Sequence, residues 1–233
     1  MATDNSGLRQ KIDIRRWLMG RISPPHRVLD LYCGSAGEMY RGCWSAADLY
    51  LGVDKRTPHA LGRTIRLSAE EAVEAIDLDL FNIYDLDPYD SPWIVARRII
   101  HRRGPGVFGM ALTSGECHGM MSGRSNEVVR AILGIRNLSD TRLFGRYWHD
   151  VFHLLCKSLG EINGTRIISP IAVASSKPKS GAYWVSYAGI VLDKPSEACY
   201  NDNKKAQSTG REHHAGDVVR NSGGDSVRGH DDL

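Results

Sequence analysis

The sequence has few of the features that mark secreted, metal-bound or membrane-spanning proteins. It contains 5 cysteines, an odd number, and no two of them form a C-x-x-C pair. We therefore expect neither a disulfide framework nor a cysteine-based zinc site. The amino-terminal segment has no apolar core of the kind that a signal peptide needs. No run of about 18 apolar residues occurs, so we expect no membrane-spanning helix and a cytoplasmic protein.

Positive charge is missing from one stretch of the chain and plentiful on both sides of it. Residues 67–96 contain no Lys or Arg but 8 Asp or Glu, whereas residues 1–66 contain 11 basic and 6 acidic residues. Residues 97–146 contain 9 basic and 3 acidic residues. Because the net charge is only +3, composition alone does not identify a nucleic-acid-binding protein. Hydrophobic residues make up 42% of the chain, which excludes a mostly disordered protein.

Apolar residues become scarce near the carboxyl end. Residues 196–233 contain no Ile, Phe, Trp or Met, and Leu233 is their only leucine. Such a segment buries too little apolar surface to offset its ordering entropy, so we predict a disordered polar tail. Residues 25–195 then form the main domain. Residues 1–24 form an amino-terminal extension, in which residues 8–20 show the apolar spacing of an amphipathic helix.

Short apolar runs alternate with helix-like segments through the main domain. The predicted strands are residues 27–32, 49–53, 64–68, 81–86, 107–113, 166–174 and 183–192. The predicted helices are residues 69–76, 94–101, 125–135 and 140–159. This alternation predicts an α/β fold with a mostly parallel, doubly wound sheet and right-handed crossovers. The last two strands flank a Lys-Pro-Lys-Ser-Gly segment and predict an antiparallel hairpin at the edge of the sheet.

Candidate binding residues follow three of the predicted strands. They are Asp30 with its small-residue turn, Asp54, and the segment Asp87-Pro88-Tyr89. Parallel sheets bind ligands outside the carboxyl ends of their strands, so these segments are expected to share one site.

The turn after the first strand allows a close approach of backbone to ligand, because Gly34 and Gly37 have no Cβ. Tyr32 stands where a dinucleotide-binding fingerprint has its first glycine, which disfavours a pyrophosphate ligand. Asp54 lies 20 residues beyond Gly34, a spacing that suits a carboxylate bound to ribose hydroxyls. The alternative is a strand-end aspartate that only caps a turn.

Several of these segments resemble motifs of one enzyme family. Val28–Gly37, VLDLYCGSAG, resembles the first motif of class I S-adenosylmethionine-dependent methyltransferases, and Leu51–Asp54, LGVD, resembles their second. Asp85–Pro92, DLDPYDSP, resembles the fourth motif of D-P-P-Y amine methyltransferases and the D-P-F-G-S-P stretch of the tRNA guanine dimethyltransferase family. Leu112–Gly115 resembles the end of the fifth strand in that family.

The resemblance implies a Rossmann-like methyltransferase with S-adenosyl-L-methionine as its cofactor. Asp30 and the glycine turn would hold the methionine part of the cofactor, Asp54 its ribose, and Ser68 or Ala69 its adenine. The full set of implied cofactor-binding residues is Asp30, Tyr32, Cys33, Gly34, Gly37, Asp54, Lys55, Ser68 and Ala69. We expect no metal, because His149 and His153 share a predicted helix face without a third ligand.

The fourth motif supplies the implied catalytic residues. Asp87 and the Pro88 carbonyl would accept the two hydrogens of an exocyclic amine, and Tyr89 would stack on the base. The implied substrate-binding residues are Ser91, Pro92, Trp93, Arg97 and Arg98. For Trp93 the alternative is the core or the pocket wall, and for the two arginines it is a solvated helix face.

We therefore expect nitrogen methylation of a nucleobase in RNA or DNA. Asp90 replaces a small glycine of the family motif, and no separate nucleic-acid module is evident, so a small-molecule amine is an alternative substrate. The second proline of D-P-P-Y is also missing, since Tyr89 directly follows Pro88. A non-catalytic cofactor-binding module of the same fold is therefore a further alternative.

Overall fold

The computed structural model describes residues 7–56, 58, 60–88, 91–121, 127–176 and 184–196, without the side chains of residues 128 and 138–141. The strands are β1 (Arg27–Asp30), β2 (Leu49–Val53), β3 (Thr64–Ile65), β4 (Ile83–Leu86), β5 (Gly106–Ser114), β6 (Arg166–Ile167), β7 (Ala172–Ser176) and β8 (Val185–Lys194). The helices are α1 (Leu8–Met19), α2 (Glu38–Gly42), α3 (Ala69–Ala75), α4 (Trp93–Arg102), α5 (Glu116–Met121), α6 (Glu127–Leu133), α7 (Leu138–Arg146) and α8 (Trp148–Leu159).

The strands form one mixed sheet in the order β3-β2-β1-β4-β5-β8-β6, with β7 also paired to β8. Strands β1 to β5 pair in parallel, whereas β8 runs antiparallel to β5, β6 and β7. The predicted Rossmann-like α/β fold with an antiparallel carboxy-terminal edge is confirmed. The chain proceeds from β1 to β3 in one direction and from β4 to β5 in the other. The carboxyl ends of β1 and β4 therefore flank the position where such sheets bind ligands.

The core lies on both faces of the sheet, because successive side chains of a strand point to opposite sides. Leu29, Tyr84 and Met110 belong to the larger apolar cluster, which includes residues of α3, α4 and α8. Val28 and Ile83 belong to the second cluster, which includes residues of α1.

Two glycines of the sheet allow α1 to pack closely against it. A Cβ on Gly109 of β5 would stand 2.7 Å from Leu18 Cδ1, and a Cβ on Gly189 of β8 would stand 2.8 Å from Trp17 Cε3. Real Cβ atoms essentially never lie this close to another atom, so a larger residue at either position would force Leu18 or Trp17 to shift. The glycines therefore fix how closely α1 approaches β5 and β8.

The strand predicted over residues 64–68 is shorter, as β3, and two other predicted elements are each divided in the structure. The strand predicted over residues 166–174 is divided into β6 and β7, because Pro170 has no N–H for the ladder. The helix predicted over residues 140–159 is divided into α7 and α8. Trp148 begins α8 in the core, where its indole Nε1 donates to Ser186 Oγ over 3.0 Å. This contact fixes the first turn of α8 separately from α7, which a continuous apolar pattern does not reveal.

Two further predictions, the polar tail and the domain boundaries, are not tested by the described residues. The tail predicted over residues 196–233 lies outside the described residues except for Ser196, and the domain boundaries stay predictions. Within the described ranges, no helix combines the length and apolarity required to cross a bilayer.

Candidate functional site

The three predicted segments meet at the carboxyl edge of the sheet. Asp30 is the last residue of β1, while Asp54 and Asp87 directly follow β2 and β4. In the parallel register Asp30 lies opposite Gly52 on one side and Asp85 on the other. Strand order therefore brings together residues that lie more than fifty positions apart in the chain.

The turn after β1 exposes its backbone. Gly34 has a φ of 60° and Gly37 a φ of 65°, in the left-handed region that favours glycine. The turn is held to the sheet by the Cys33 N–H, which donates to the Val53 carbonyl over 3.0 Å. A Cβ built on Gly34 would meet no atom within 4 Å. The main chain at Gly34 thus borders open space that a ligand can enter.

Asp30 lies beneath this turn with its side chain in the protein interior. Its carboxylate accepts hydrogen bonds from the Tyr50 hydroxyl over 3.1 Å and from the Tyr32 N–H over 3.3 Å. Burial, and then the negative charge of Asp85, raises the pKa of Asp30 well above its usual value. The Asp30 side chain therefore stabilises the turn through its hydrogen bond from the Tyr32 N–H. In the same turn Tyr32 is half-buried and Cys33 is buried.

Asp54 is half-buried at the end of β2. Its Oδ1 accepts the Arg56 N–H over 2.8 Å, which is the turn-capping arrangement that the sequence offered as the alternative. A carboxylate has about four acceptor positions, so this bond leaves capacity for ribose hydroxyls. Lys55 is exposed beside it. The ribose role of Asp54 stays a prediction.

Ser68 and Ala69 lie at the start of α3. The Ser68 Oγ accepts the Glu71 N–H over 3.2 Å, and Glu71 Oε2 accepts the Ser68 N–H over 2.8 Å, which together form a capping box. The spacing Ser-x-x-Glu is the sequence signal for this cap. Ala69 is buried. The adenine contact predicted for these residues stays a prediction.

Asp85 of β4 and Asp87, which directly follows this strand, bind two cations from α1. The Arg15 guanidinium forms a two-pronged contact with Asp85, with Nε 2.6 Å from Oδ2 and Nη2 2.5 Å from Oδ1. Both side chains are completely buried, and the Trp44 indole also donates to Asp85 over 2.7 Å. Burial acts to lower the pKa of Arg15, but the carboxylates of Asp85 and Asp87 outweigh it and raise the value.

Lys11, which lies one helical turn before Arg15 on α1, binds Asp87. Its Nζ lies 2.8 Å from each carboxylate oxygen, and the side chains of Lys11 and Asp87 are 20% and 14% exposed. Burial acts to raise the pKa of Asp87, but the charges of Lys11 and Arg15 outweigh it and bring the pKa below its usual value. Asp87 is therefore an anion at neutral pH.

Sequence reasoning missed both cations, because it considered only the apolar spacing of residues 8–20 and not the basic residues between the apolar positions. A signal was present, however. Residues four apart on a helix share a face, and residues two apart on a strand point the same way. The pair Lys11 and Arg15 therefore matches the pair Asp85 and Asp87.

The predicted substrate residues follow Asp87 in the chain. Pro88 and Ser91 are half-buried, and Ser91 Oγ is buried with no hydrogen-bond partner in the described part of the chain. Pro92 is buried at the start of α4. Tyr89 and Asp90 lie outside the described residues.

Three further predicted substrate residues belong to α4. Trp93 is fully buried, packs edge-on against Phe152 and donates from Nε1 to Glu116 over 2.7 Å. This is a core position, one of the two alternatives given for it. Arg97 is half-buried and Arg98 is exposed. In the described ranges, no group of three or more His, Cys, Asp or Glu side chains could hold a metal ion.

Comparison with known proteins yields fold similarity only. No protein-family model and no curated protein matches the sequence. Among solved structures, the plantazolicin methyltransferase BpumL in complex with a pentazolic desmethylPZN analog and SAH has a TM-score of 0.47 at 10% identity, over 83% of this chain and 86% of its own. The O-methyltransferase from Bacillus cereus in complex with SAH has a TM-score of 0.47 at 10% identity, over 83% of this chain and 84% of its own.

A protein from Streptococcus thermophilus described as a hemolysin has a TM-score of 0.49 at 11% identity, over 88% of this chain and 75% of its own. The structures that this chain resembles therefore include methyltransferases, some with SAH. At these identities the likeness concerns the fold.

Proposed function

We propose that this protein is an S-adenosyl-L-methionine-dependent methyltransferase that methylates an exocyclic amine of a nucleobase in RNA or DNA. One observation carries the proposal. The Gly34–Gly37 turn, Asp54 and the Asp87-Pro88 segment meet at one edge of the sheet, where the strand order reverses. This is the position at which sheets of this type bind their ligands.

The residues of the first two segments fit the proposed cofactor. The open backbone at Gly34 supports contact with the methionine part, and the half-buried Asp54 supports binding of the ribose hydroxyls. The cofactor supplies a methyl group on an electrophilic sulfonium. What remains for the protein is to hold a nucleophile in line with that methyl group, and positioning of this kind contributes roughly 7–11 kcal/mol to rate acceleration.

The third segment fits an amine substrate. The lone pair of an exocyclic amine is delocalised into its ring, which makes the amine a poor nucleophile. Acceptance of its two hydrogens by the Asp87 carboxylate and the Pro88 carbonyl would localise the lone pair. The lowered pKa of Asp87 supports this role, because an anion is the stronger acceptor. The proton lost by the nitrogen after transfer passes to Asp87 and then to water.

Residues beyond Pro88 complete the proposed substrate site. The buried Ser91 hydroxyl supports a polar substrate group beside Pro88, because it has no partner in the described part of the chain. Tyr89 would stack on the base, and the exposed Arg98 would contact a phosphate. A base within a duplex would first have to be flipped out.

Calorimetric titration with S-adenosylhomocysteine tests the cofactor. We expect the wild type to bind, and we expect Asp54→Ala to bind at least about tenfold more weakly, since hydrogen bonds to a charged group contribute about 1.5–3 kcal/mol. Absence of binding by the folded wild type would refute the proposal. Labelled S-adenosylmethionine with total RNA, DNA and metabolite fractions then tests transfer. Binding without any transfer would favour a non-catalytic module.

A small-molecule amine is the second candidate substrate. Only 14% of the Asp87 side chain is exposed beside Lys11, which favours a small molecule as the methyl acceptor. Salt dependence separates the two candidates. Nucleic-acid binding should weaken by roughly 0.7–0.9 log units per log unit of salt for each phosphate contacted, whereas small-molecule binding should respond little.

We also propose a cytoplasmic location. Cys43, Cys117 and Cys156 are buried thiols outside any disulfide, the state that a reducing compartment maintains.

A further inference from the structure

We propose that Lys11 is a positioning residue of this site, whose ammonium holds the Asp87 carboxylate ionised and correctly turned for the substrate amine. The inference rests on the function proposed above and deepens it. It assigns a role in methyl transfer to α1, a helix that lies outside all the motifs that suggested the function.

The contact geometry is the first support. Lys11 Nζ lies 2.8 Å from both oxygens of Asp87, so a single donor fixes the rotation of the carboxylate plane. The same Nζ lies 5.9 Å from the centre of the Tyr187 ring, on β8. Each carboxylate oxygen has a second acceptor position, which the substrate N–H can use while Lys11 stays bound.

The charges around Asp87 are the second support. From α1 it faces Lys11 and Arg15, from β5 the Thr113 hydroxyl, and from β8 the Tyr187 hydroxyl, which is bound to Ser176 over 2.6 Å. Arg15 is 3.8 Å from Asp87, but its hydrogen bonds go to Asp85 and to the Lys11 carbonyl. Lys11 is therefore the described cation that donates hydrogen bonds to Asp87. A nearly buried carboxylate that loses such a partner favours the protonated form.

The attachment of α1 is the third support. Leu18 and Trp17 pack closely over Gly109 and Gly189, and Arg15 is locked to Asp85. Lys11 lies one turn before Arg15 on the same helix face. The packing that fixes Arg15 therefore also presents Lys11 to Asp87, and little conformational freedom is lost when substrate arrives.

The test compares Lys11→Met, Lys11→Gln and Lys11→Arg. The matched control is Arg9→Met, which removes a cation from the same helix at a site that is 91% exposed and 3.8 Å from Asp13. Methyl transfer from labelled cofactor to total cellular RNA is measured against pH. In parallel, the ionisation of Asp87 is followed by carbon NMR of the full-length protein, with Asp87→Asn used to assign the signal.

We expect Lys11→Met and Lys11→Gln to move the acidic limb of the pH profile upward by at least about one unit, because the carboxylate loses its cation. At pH values below the wild-type limb, transfer should fall at least about tenfold, and it should recover as pH rises above the shifted limb, with a change in kcat rather than KM. Lys11→Arg should restore most of the activity, and Arg9→Met should behave as the wild type. The NMR ionisation of Asp87 should move with the kinetic limb.

Other outcomes overturn the proposal in distinguishable ways. If the wild type transfers methyl groups and Lys11→Met leaves both the profile and the Asp87 ionisation unchanged, the role of Lys11 fails while the proposed function stands. If Lys11→Met is faster than the wild type at every pH, Lys11 blocks the site. If the wild type transfers to none of the RNA, DNA and metabolite fractions, the proposed function fails, and the positioning role fails with it.

Discussion

Arg15 and Asp85 join α1 to the sheet through a fork-to-fork contact in which neither side chain is exposed. The distances are 2.6 Å from Nε to Oδ2 and 2.5 Å from Nη2 to Oδ1. Arg15 Nη1 also donates to the Lys11 carbonyl over 3.1 Å. The amino-terminal helix is therefore bound to the strand that precedes the candidate catalytic residues, and its stability and the geometry of the site are linked.

The first prediction concerns this pair. Arg15→Met should lower the free energy of unfolding by about 3–5 kcal/mol, because it leaves the Asp85 carboxylate buried without its cation. Urea denaturation with a fluorescence readout measures the change. The double variant Arg15→Met with Asp85→Leu should regain part of the loss, since neither charge then remains in the interior. A single-variant loss under about 1 kcal/mol would contradict the buried pair.

The second prediction separates the turn's strain from its proposed ligand contact. Gly34→Ala should destabilise the protein by about 1–2 kcal/mol, because alanine is strained at a φ of 60°. Gly134→Ala is the matched control, since Gly134 has a φ of 64° and equally open space around its Cα. Both variants should lose similar stability in urea. Only Gly34→Ala should weaken S-adenosylhomocysteine binding in calorimetry, and equal affinities would count against the cofactor site.

The third prediction follows from the raised pKa of Asp30. The folded state favours the neutral form of this carboxyl. As pH rises from the pKa of the unfolded state toward the higher pKa of the folded state, the unfolded state ionises first, so the free energy of unfolding of the wild type falls. Asp30→Asn removes that ionisation and retains an oxygen acceptor for Tyr50. We expect Asp30→Asn to gain unfolding free energy relative to the wild type as pH rises above about 4. Urea titrations across this range measure it, and a constant difference would refute the shift.

The fourth prediction concerns the capping box of α3. Ser68→Ala should lower the unfolding free energy by about 0.5–2 kcal/mol, since the Glu71 N–H loses its acceptor. Ser68→Thr keeps a hydroxyl cap and should lie close to the wild type. The affinity of the same variants for S-adenosylhomocysteine, measured by calorimetry, tests whether the Ser68 hydroxyl contacts the adenine. We expect similar affinities, because the hydroxyl already serves Glu71.

Much of the fold could be predicted because its signals are local. The alternation of short apolar runs with helix-like segments specifies a parallel sheet, and parallel strands place their carboxyl ends along one edge. For that reason Asp30, Asp54 and Asp87 could be assigned to one rim from their positions in the chain. The glycines at residues 34 and 37 also act locally, through the backbone conformation they allow.

The order and spacing of the apolar runs therefore specify the sheet, its carboxyl edge and the residues at that edge. The side chains that those residues contact depend instead on how distant parts of the chain pack. Lys11 is 76 positions from Asp87, and Arg15 is 70 positions from Asp85. The matched spacing of the two pairs does not by itself join residues so far apart, because their pairing depends on α1 packing against Gly109 of β5 and Gly189 of β8. Long-range packing, in which shape and charge must fit together, therefore set the electrostatics of the site.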